Sequence, residues 1–377
     1  MDILIVNGNL ILPGGINNLN LGIDKGKIVY LGKDKIKSKK EINVGGKFVS
    51  AGLIDIHCHG MGGFLFEDET EKAFEKIAKT ASMFGTTTML AGLTASQIEK
   101  RVQKTVQLIK KNKSKKGGAQ IAGIYLEGPF INPSERGNLL IGEKPSLKTL
   151  DKIIKVASGL PLIMVVAPEI TFGIDAIIKL KKKKIAVSIG HSEATYDEAK
   201  RGIKMGIEGA THFFNAMRGY HHREPGVVGA VFDSENVTAE LILDGHHIHP
   251  VSARLANKVL GIERLIFVTD STSAAGTDNI YTRVYDGQEA VVKNGAPLIG
   301  NRLAGSILTL NQAVKNFIDW TGAPIEKAIL PATINPAKKI KMEKQKGTLE
   351  IGKDADIIIF DKNIKIEKTI IDGQECK

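Results

Sequence analysis

AVSIGHSEATYDEAKRGIKMGIEGATH, residues 186–212, holds a strand, a helix and the start of a second strand. Ala186–Ile189 is short, apolar and β-branched. Thr195, followed three residues later by Glu198, is a capping box that opens a helix, and Gly206 stops it. Ala210–His212 then begins the next strand, so that each of the two strands runs into an imidazole, His191 and His212. The same alternation extends outward in both directions. Strand patterns recur at Ile54–His57, Thr87–Leu90, Ala122–Leu126, Leu162–Val166, Ala239–Leu243 and Leu265–Thr269. Between them, Phe74, Ile77, Ala78 and Ala81 repeat at helical spacing before Gly85. Thr94 and Gln97 read as another capping box ahead of Ile98, Val102, Val106 and Ile109, and Leu147, Leu150 and Ile154 mark a further helix. Eight strands separated by helices predict the α/β class and a closed parallel (β/α)8 TIM-like barrel. A doubly wound open sheet is the alternative, but no G-x-G-x-x-G follows the first strand to support its dinucleotide-binding form.

The barrel, expected over residues 53–334, leaves both ends of the chain unused. Residues 1–52 and Gly347–Lys377 read as short strands and turns. Chain termini often lie close together, so residues 1–52 and 335–377 are expected to form one small β-sandwich domain. Asp286-Gly287 and Asn294-Gly295 predict a β-hairpin insertion near residues 280–300.

The composition, 42% hydrophobic and 25% charged over 377 residues, is that of a packed protein. No apolar run approaches the ~20 residues of a membrane span. The opening MDILIVNG lacks a basic stretch and does not read as a signal peptide. Cys58 and Cys376 cannot make a disulfide framework, and a reducing, cytoplasmic setting is expected. The net charge of +11 comes partly from runs such as Lys39-Lys40, Lys110-Lys111, Lys115-Lys116 and Lys181 to Lys184. With aromatics at 5% and none interleaved with these runs, they read as a solvated outer face, and neither nucleic acid nor a membrane is expected as a partner.

In such a barrel the chemistry sits at the C-terminal ends of the strands. Here those ends carry His57 and His59, Glu127, His191, His212 and Asp270. His57 and His59 are two residues apart on a strand and face the same side, which turns Cys58 the other way. Imidazole with carboxylate suits zinc or iron rather than calcium or magnesium. Glu127, His191 and His212 would hold one divalent ion. His57 and His59, with Glu127 bridging, could hold a second, and the sequence leaves the number at one or two. Such an ion lowers the pKa of a coordinated water from 15.7 to about 7. Asp270 beside it would take the water's proton and return it to a leaving amine. Together these residues predict metal-assisted hydrolysis of an amide or a related C–N bond.

These residues lie in a longer set of motifs: GLIDIHCHG (52–60), LEGPF (126–130), GHS (190–192), THFFNAM (211–217), REPG (223–226), DGHH (244–247), VTD (268–270) and LAGS (303–306). On them the chain resembles the amidohydrolase superfamily and, within it, the family of N-acetylglucosamine-6-phosphate deacetylases, over nearly its whole length. The resemblance implies release of acetate from N-acetylglucosamine 6-phosphate, leaving glucosamine 6-phosphate, in amino-sugar catabolism. It implies one or two divalent ions, with Glu127, His191 and His212 matching the main ligands, His57 and His59 the ligands of a second ion, and Asp270 the catalytic acid/base. It also implies that Asn215, Ala216, Arg223 and His247 hold the sugar phosphate, Arg223 reaching in from the neighbouring subunit of a homodimer. A phosphate's need for a guanidinium fork, an imidazole and backbone N–H donors agrees with that set.

The chain departs from the family after LEGPF-x-N, where K-G-A-H is usual and the histidine helps polarise the acetyl carbonyl. Here the run is Arg136-Gly137-Asn138-Leu139, and leucine donates no hydrogen bond. A second ion takes that part, or Asn138 does, or the substrate is another N-acyl amino sugar phosphate or a D-amino acid derivative. Cyclic-amide hydrolases with a carboxylated lysine at the fourth strand's end are disfavoured, because that end reads Val165-Val166-Ala167-Pro168-Glu169. A catalytically weak binder of nucleic acid or sugar phosphates, suggested by the charge alone, is the remaining alternative.

Overall fold

The structure, a computed structural model, describes residues 1–112, 117–140 and 144–376. Eight strands, Leu53–Cys58, Thr86–Thr94, Gln120–Glu127, Leu162–Val165, Ala186–Ile189, Gly209–Ala210, Thr238–Leu241 and Leu265–Phe267, pair in parallel in chain order. Their side chains are buried nearly throughout, as strands covered on both faces must be. The first and last strands meet at a seam. The N–H of Asp270 donates to the carbonyl of His57 at 2.8 Å, and Thr269 Oγ1 donates to Asp55 Oδ2 at 2.7 Å. The barrel therefore closes at the level of its polar strand ends.

Local signals place most of the helices. Glu71–Met83 starts where Thr70 accepts from the N–H of Ala73, and it buries Phe74, Ile77 and Ala81. Thr195 and Glu198 make both halves of the capping box for Tyr196–Met205, which ends at Gly206 with φ +146°. The box expected at Thr94 is absent. The second strand runs through Thr94, whose hydroxyl donates to Glu67 Oε1 at 2.6 Å, and the helix begins at Ile98. Thr94 Oγ1 also accepts from Arg101 Nη1 at 3.1 Å, a charged donor that takes the place of the helix N–H a cap would bind.

The chain ends meet as expected of neighbouring termini. Ile3–Leu12, Gly15–Asp24, Lys27–Gly32, Lys40–Asn43 and Phe48–Ala51 share one eight-stranded sheet with Ile357–Phe360, Ile366–Ile371 and Gln374–Glu375. The junction is the antiparallel pairing of Phe48–Ala51 with Ile357–Phe360. Alternation then divides the C-terminal strand. Ile357 and Ile359 join a separate core with Ile5, Leu21 and Ile23, while Ile358 and Phe360 face the barrel core. Residues 335–339, grouped with the small domain by the sequence pattern, belong to the helix Ile334–Lys339, which is held against the barrel: Asn335 Nδ2 donates to the carbonyls of Ile262 and Leu265, each at 2.8 Å.

The insertion is larger than a hairpin. Tyr281–Arg283, Glu289–Lys293, Ala296–Ile299 and Arg302–Leu303 form a four-stranded antiparallel sheet. Asn294 and Gly295 both have positive φ (51° and 84°), as a two-residue turn of type I′ requires. The sheet is clamped to the barrel mouth. Glu67 Oε2 accepts from the N–H of Asp286 at 2.7 Å, and Arg101 Nη1 reaches Glu67 Oε1 at 2.9 Å and Asp286 Oδ1 at 2.7 Å. Of the lysine runs, Lys39-Lys40, Lys110-Lys111 and Lys181 to Lys184 are exposed, and Lys115-Lys116 lies outside the described residues. Among the described residues no helix is long and apolar enough to cross a membrane.

Candidate metal centre and active site

Glu127 stands at the end of the third strand, 1% exposed, with four imidazoles around its carboxylate. Oε1 lies 3.2 Å from His191 Nε2, 3.2 Å from His212 Nε2 and 3.4 Å from His57 Nε2, and Oε2 lies 3.1 Å from His59 Nε2. Asp270 Oδ1 lies 3.4 Å from His59 Nε2 and 3.6 Å from His57 Nε2. Two buried groups result, Glu127 with His191 and His212, and His57 and His59 with Asp270, with the donor atoms of each group within 4.8 Å of one another. His191, His212 and Asp270 have φ of +47°, +29° and +46°. Positive φ is uncommon outside glycine, and where it occurs at buried residues it is concentrated at functional sites.

The donor set fits a divalent cation. His191 Nδ1 lies 2.7 Å from the carbonyl of Glu135, and His212 Nδ1 lies 3.1 Å from that of Asn215. A carbonyl only accepts, so each ring carries a proton on Nδ1 and turns a lone pair outward at Nε2. Those two Nε2 atoms are 3.0 Å apart, with Glu127 Oε1 between them. Such convergence of lone pairs is repulsive unless a cation lies among them. Burial opposes charge on His57 and His191, yet Glu127, joined by Asp270, outweighs it and raises both above the ordinary imidazole range, His57 far above. Glu127 is in turn held well below the usual carboxylate range against its burial, chiefly by His57. A proton and a divalent ion thus compete for the same sites.

Two residues that sequence reasoning passed over support His57. Glu240, 2% exposed in the seventh strand, has Oε2 3.1 Å from His57 Nδ1, and Tyr125 donates to Glu240 at 2.9 Å while stacking on His57 at 4.0 Å between centroids. A carboxylate inside an otherwise apolar strand was the available signal. Among the described residues His59 Nδ1 is buried with no hydrogen-bond partner, whereas the corresponding nitrogen of His57 is paired with Glu240. If His57 holds an ion, Glu240→Gln should weaken its binding there by about 10–100-fold. Titration of the apoprotein with chelator-buffered zinc checks this, and affinity at the Glu127, His191 and His212 cluster should be unchanged.

A cavity of about 580 Å³ opens above the cluster. Its wall includes Glu127, His191, His212 and Asp270, and also Asn215, Ala216, His247, Asn138 and Leu139. His247 Nδ1 is 2.7 Å from Asp244 Oδ2. Burial works against the imidazolium, but Asp244 prevails and raises the His247 pKa. Asn138 spends an amide hydrogen bond on the carbonyl of Leu303 at 2.8 Å, and Leu139 is buried. Arg223 is not in the wall. It is exposed, with Nη1 3.0 Å from His222 Nε2. His249 caps the helix Pro250–Leu260 and His246 is exposed. Cys58 turns away to within 3.2 Å of Ser271 Oγ, and burial pushes its thiol far up, as befits an inert side chain.

Three residues not foreseen also line the cavity: Arg136, Arg302 and Tyr285. Tyr285 comes from the insertion, and its hydroxyl lies 3.3 and 3.4 Å from the two oxygens of Asp270. Burial, then the charge of Asp270, lifts it well above the ordinary phenol range, so it is a donor.

Residues 48–376 match the family described as Amidohydrolase family. The chain is 35% identical over 328 residues to an N-acetylglucosamine-6-phosphate deacetylase of Vibrio furnissii, covering 86% of this chain and 81% of that protein. It is 33% identical over 334 residues to an N-acetylgalactosamine-6-phosphate deacetylase of Escherichia coli O157:H7, covering 85% of each. Its fold superposes on the N-acetyl-D-glucosamine-6-phosphate deacetylase of Mycobacterium smegmatis, solved as a point mutant in complex with N-acetyl-D-glucosamine-6-phosphate, with a TM-score of 0.90, 25% identity and 99% of both chains covered.

Proposed function

The chain belongs to the amidohydrolase family, and from that premise we propose that it hydrolyses the N-acetyl group of N-acetylglucosamine 6-phosphate to glucosamine 6-phosphate and acetate. The observation that carries this reading is the convergence of Glu127, His191, His212 and Asp270 on a cavity whose wall also includes His247, backed by Asp244. The two halves suit the two ends of one molecule, an amide to be cleaved and a phosphate to be held.

Glu127, His191 and His212 would hold one zinc or iron ion, and His57 and His59 a second. Such an ion supplies the Lewis acidity that lets water attack an amide at neutral pH. Asp270 takes a proton from the attacking water as the C–O bond forms and delivers it to the amine nitrogen as the C–N bond breaks. His247, whose charged form Asp244 favours, faces the phosphate, and Asn215 and Ala216 hold the sugar beside it. Arg223, outside the wall of its own subunit's cavity, suits a homodimer in which each subunit lends its guanidinium to the other. The setting proposed is cytoplasmic amino-sugar catabolism.

Acetate release from a panel of N-acetylhexosamine 6-phosphates, with zinc, iron or cobalt supplied, tests the reading. The glucosamine derivative should give the highest kcat/KM. Higher kcat/KM with the galactosamine derivative would move the chain to the chemistry named for its Escherichia coli relative, and no release from any of the panel would sink the proposal. Arg223→Ala should raise KM for the phosphorylated substrate by about 10–100-fold, the worth of a hydrogen bond to a charged group, and leave the unphosphorylated N-acetyl sugar little changed. Equal effects on both would remove Arg223 from phosphate recognition.

A further inference from the structure

Attack on an amide carbonyl turns its oxygen into an oxyanion, and a fixed donor aimed at that oxygen is among the largest single contributions to catalysis. Few donors in the cavity wall are free to serve. Leu139 has none, Asn138 spends one of its two amide N–H bonds on the carbonyl of Leu303, and His247, paired through Nδ1 with Asp244, is placed on the phosphate. Arg136 and Arg302 are exposed.

Tyr285 differs from all of these. It is 7% exposed, its ring meets His59 edge-on at 4.9 Å, and its hydroxyl spans both oxygens of Asp270. Room has been left for it: a Cβ on Gly305, at φ +65°, would lie 2.8 Å from the hydroxyl oxygen. It is also held from behind. The neighbouring Asp286 is fixed by Glu67 and Arg101, and Gln288 Nε2 donates to the carbonyls of both Tyr285 (3.1 Å) and Asn138 (2.9 Å), joining the insertion to the loop that carries Leu139.

We propose that Tyr285 is a catalytic residue whose hydroxyl donates a hydrogen bond to the carbonyl oxygen of the scissile amide as that oxygen gains charge. The proposal rests on the deacetylation reading above. The phenol proton can turn about the C–O bond from one side of the ring to the other, so the donor now directed at Asp270 can reach a carbonyl oxygen placed beside the pair without movement of the ring. The tyrosine keeps its proton throughout. The oxygen of water bonds to the acyl carbon, the C–N bond breaks, and both protons of the water end on the amine nitrogen, the first by way of Asp270.

The test compares metal-loaded wild-type protein with Tyr285→Phe, which fills the same space. We expect kcat to fall by about 10²–10³-fold with KM little changed, as for loss of one oxyanion donor. Affinity for a phosphonamidate of glucosamine 6-phosphate, whose tetrahedral phosphorus replaces the acetyl carbon, should fall by a similar factor. Affinity for glucosamine 6-phosphate itself, the metal content and Tm should stay at wild-type values. Unchanged kcat overturns the proposal. So does a lower kcat with undiminished phosphonamidate affinity, which would make Tyr285 a positioning residue for Asp270 alone. Wild-type protein inert toward every N-acetylhexosamine 6-phosphate overturns the functional reading itself, and the assignment of Tyr285 with it.

Discussion

Glu127→Gln is expected to give folded protein that lacks roughly one metal equivalent or more per chain and shows no measurable turnover. The carboxylate sits between the two groups of ligands, one oxygen toward His191 and His212 and the other toward His59. The amide fills the same volume, but it removes the negative charge and directs N–H bonds at atoms that should coordinate an ion. Loss of one hydrogen bond behind a ligand costs about 10–100-fold in metal affinity, and loss of the shared ligand must cost more. Elemental analysis of protein purified without chelator, with near-ultraviolet circular dichroism as the check on folding, measures it. Wild-type metal content in the variant would show that Glu127 does not bridge.

Asp270→Asn is expected to separate chemistry from metal binding. Turnover should fall by about 10²–10⁴-fold, the range for a positioned acid/base, while the ion on Glu127, His191 and His212 stays. Two features make this substitution clean. The barrel seam uses the backbone N–H of residue 270, which asparagine retains. The position has φ +46°, a conformation that asparagine tolerates better than most residues. Single-turnover acetate release and metal analysis of the same preparation measure the two quantities together. Near-normal turnover would remove Asp270 from the reaction.

Much of this site was legible because a barrel converts chain order into geometry. Once eight strands are recognised, their C-terminal ends must meet, and His57, His59, Glu127, His191, His212 and Asp270 are found together there. The residues that escaped notice depend on contacts that no local pattern encodes. Glu240 and Tyr125 lie within strands, where alternation says only that they are buried. Tyr285 reaches Asp270 because Asp286, at the tip of the insertion, meets a carboxylate 219 residues earlier in the chain. Thr94 failed as a cap for the same reason: its hydroxyl found Glu67, which a three-residue pattern cannot see. Local rules predicted elements well wherever no distant polar partner competed for the same atoms.

The pairing of Phe48–Ala51 with Ile357–Phe360 also has a consequence for biosynthesis. The ribosome delivers the first of these strands some 300 residues before the second. At about 5–20 residues per second, this leaves roughly 15–60 s in which the nascent N-terminal sheet has an open edge. An open edge is sticky, so the emerging barrel must form beside an incomplete neighbour, and the strand that seals it is made only after the barrel. Variants that weaken Ile357–Phe360 should therefore reduce the yield of intact protein during translation more than they reduce the specific activity of the molecules that survive it.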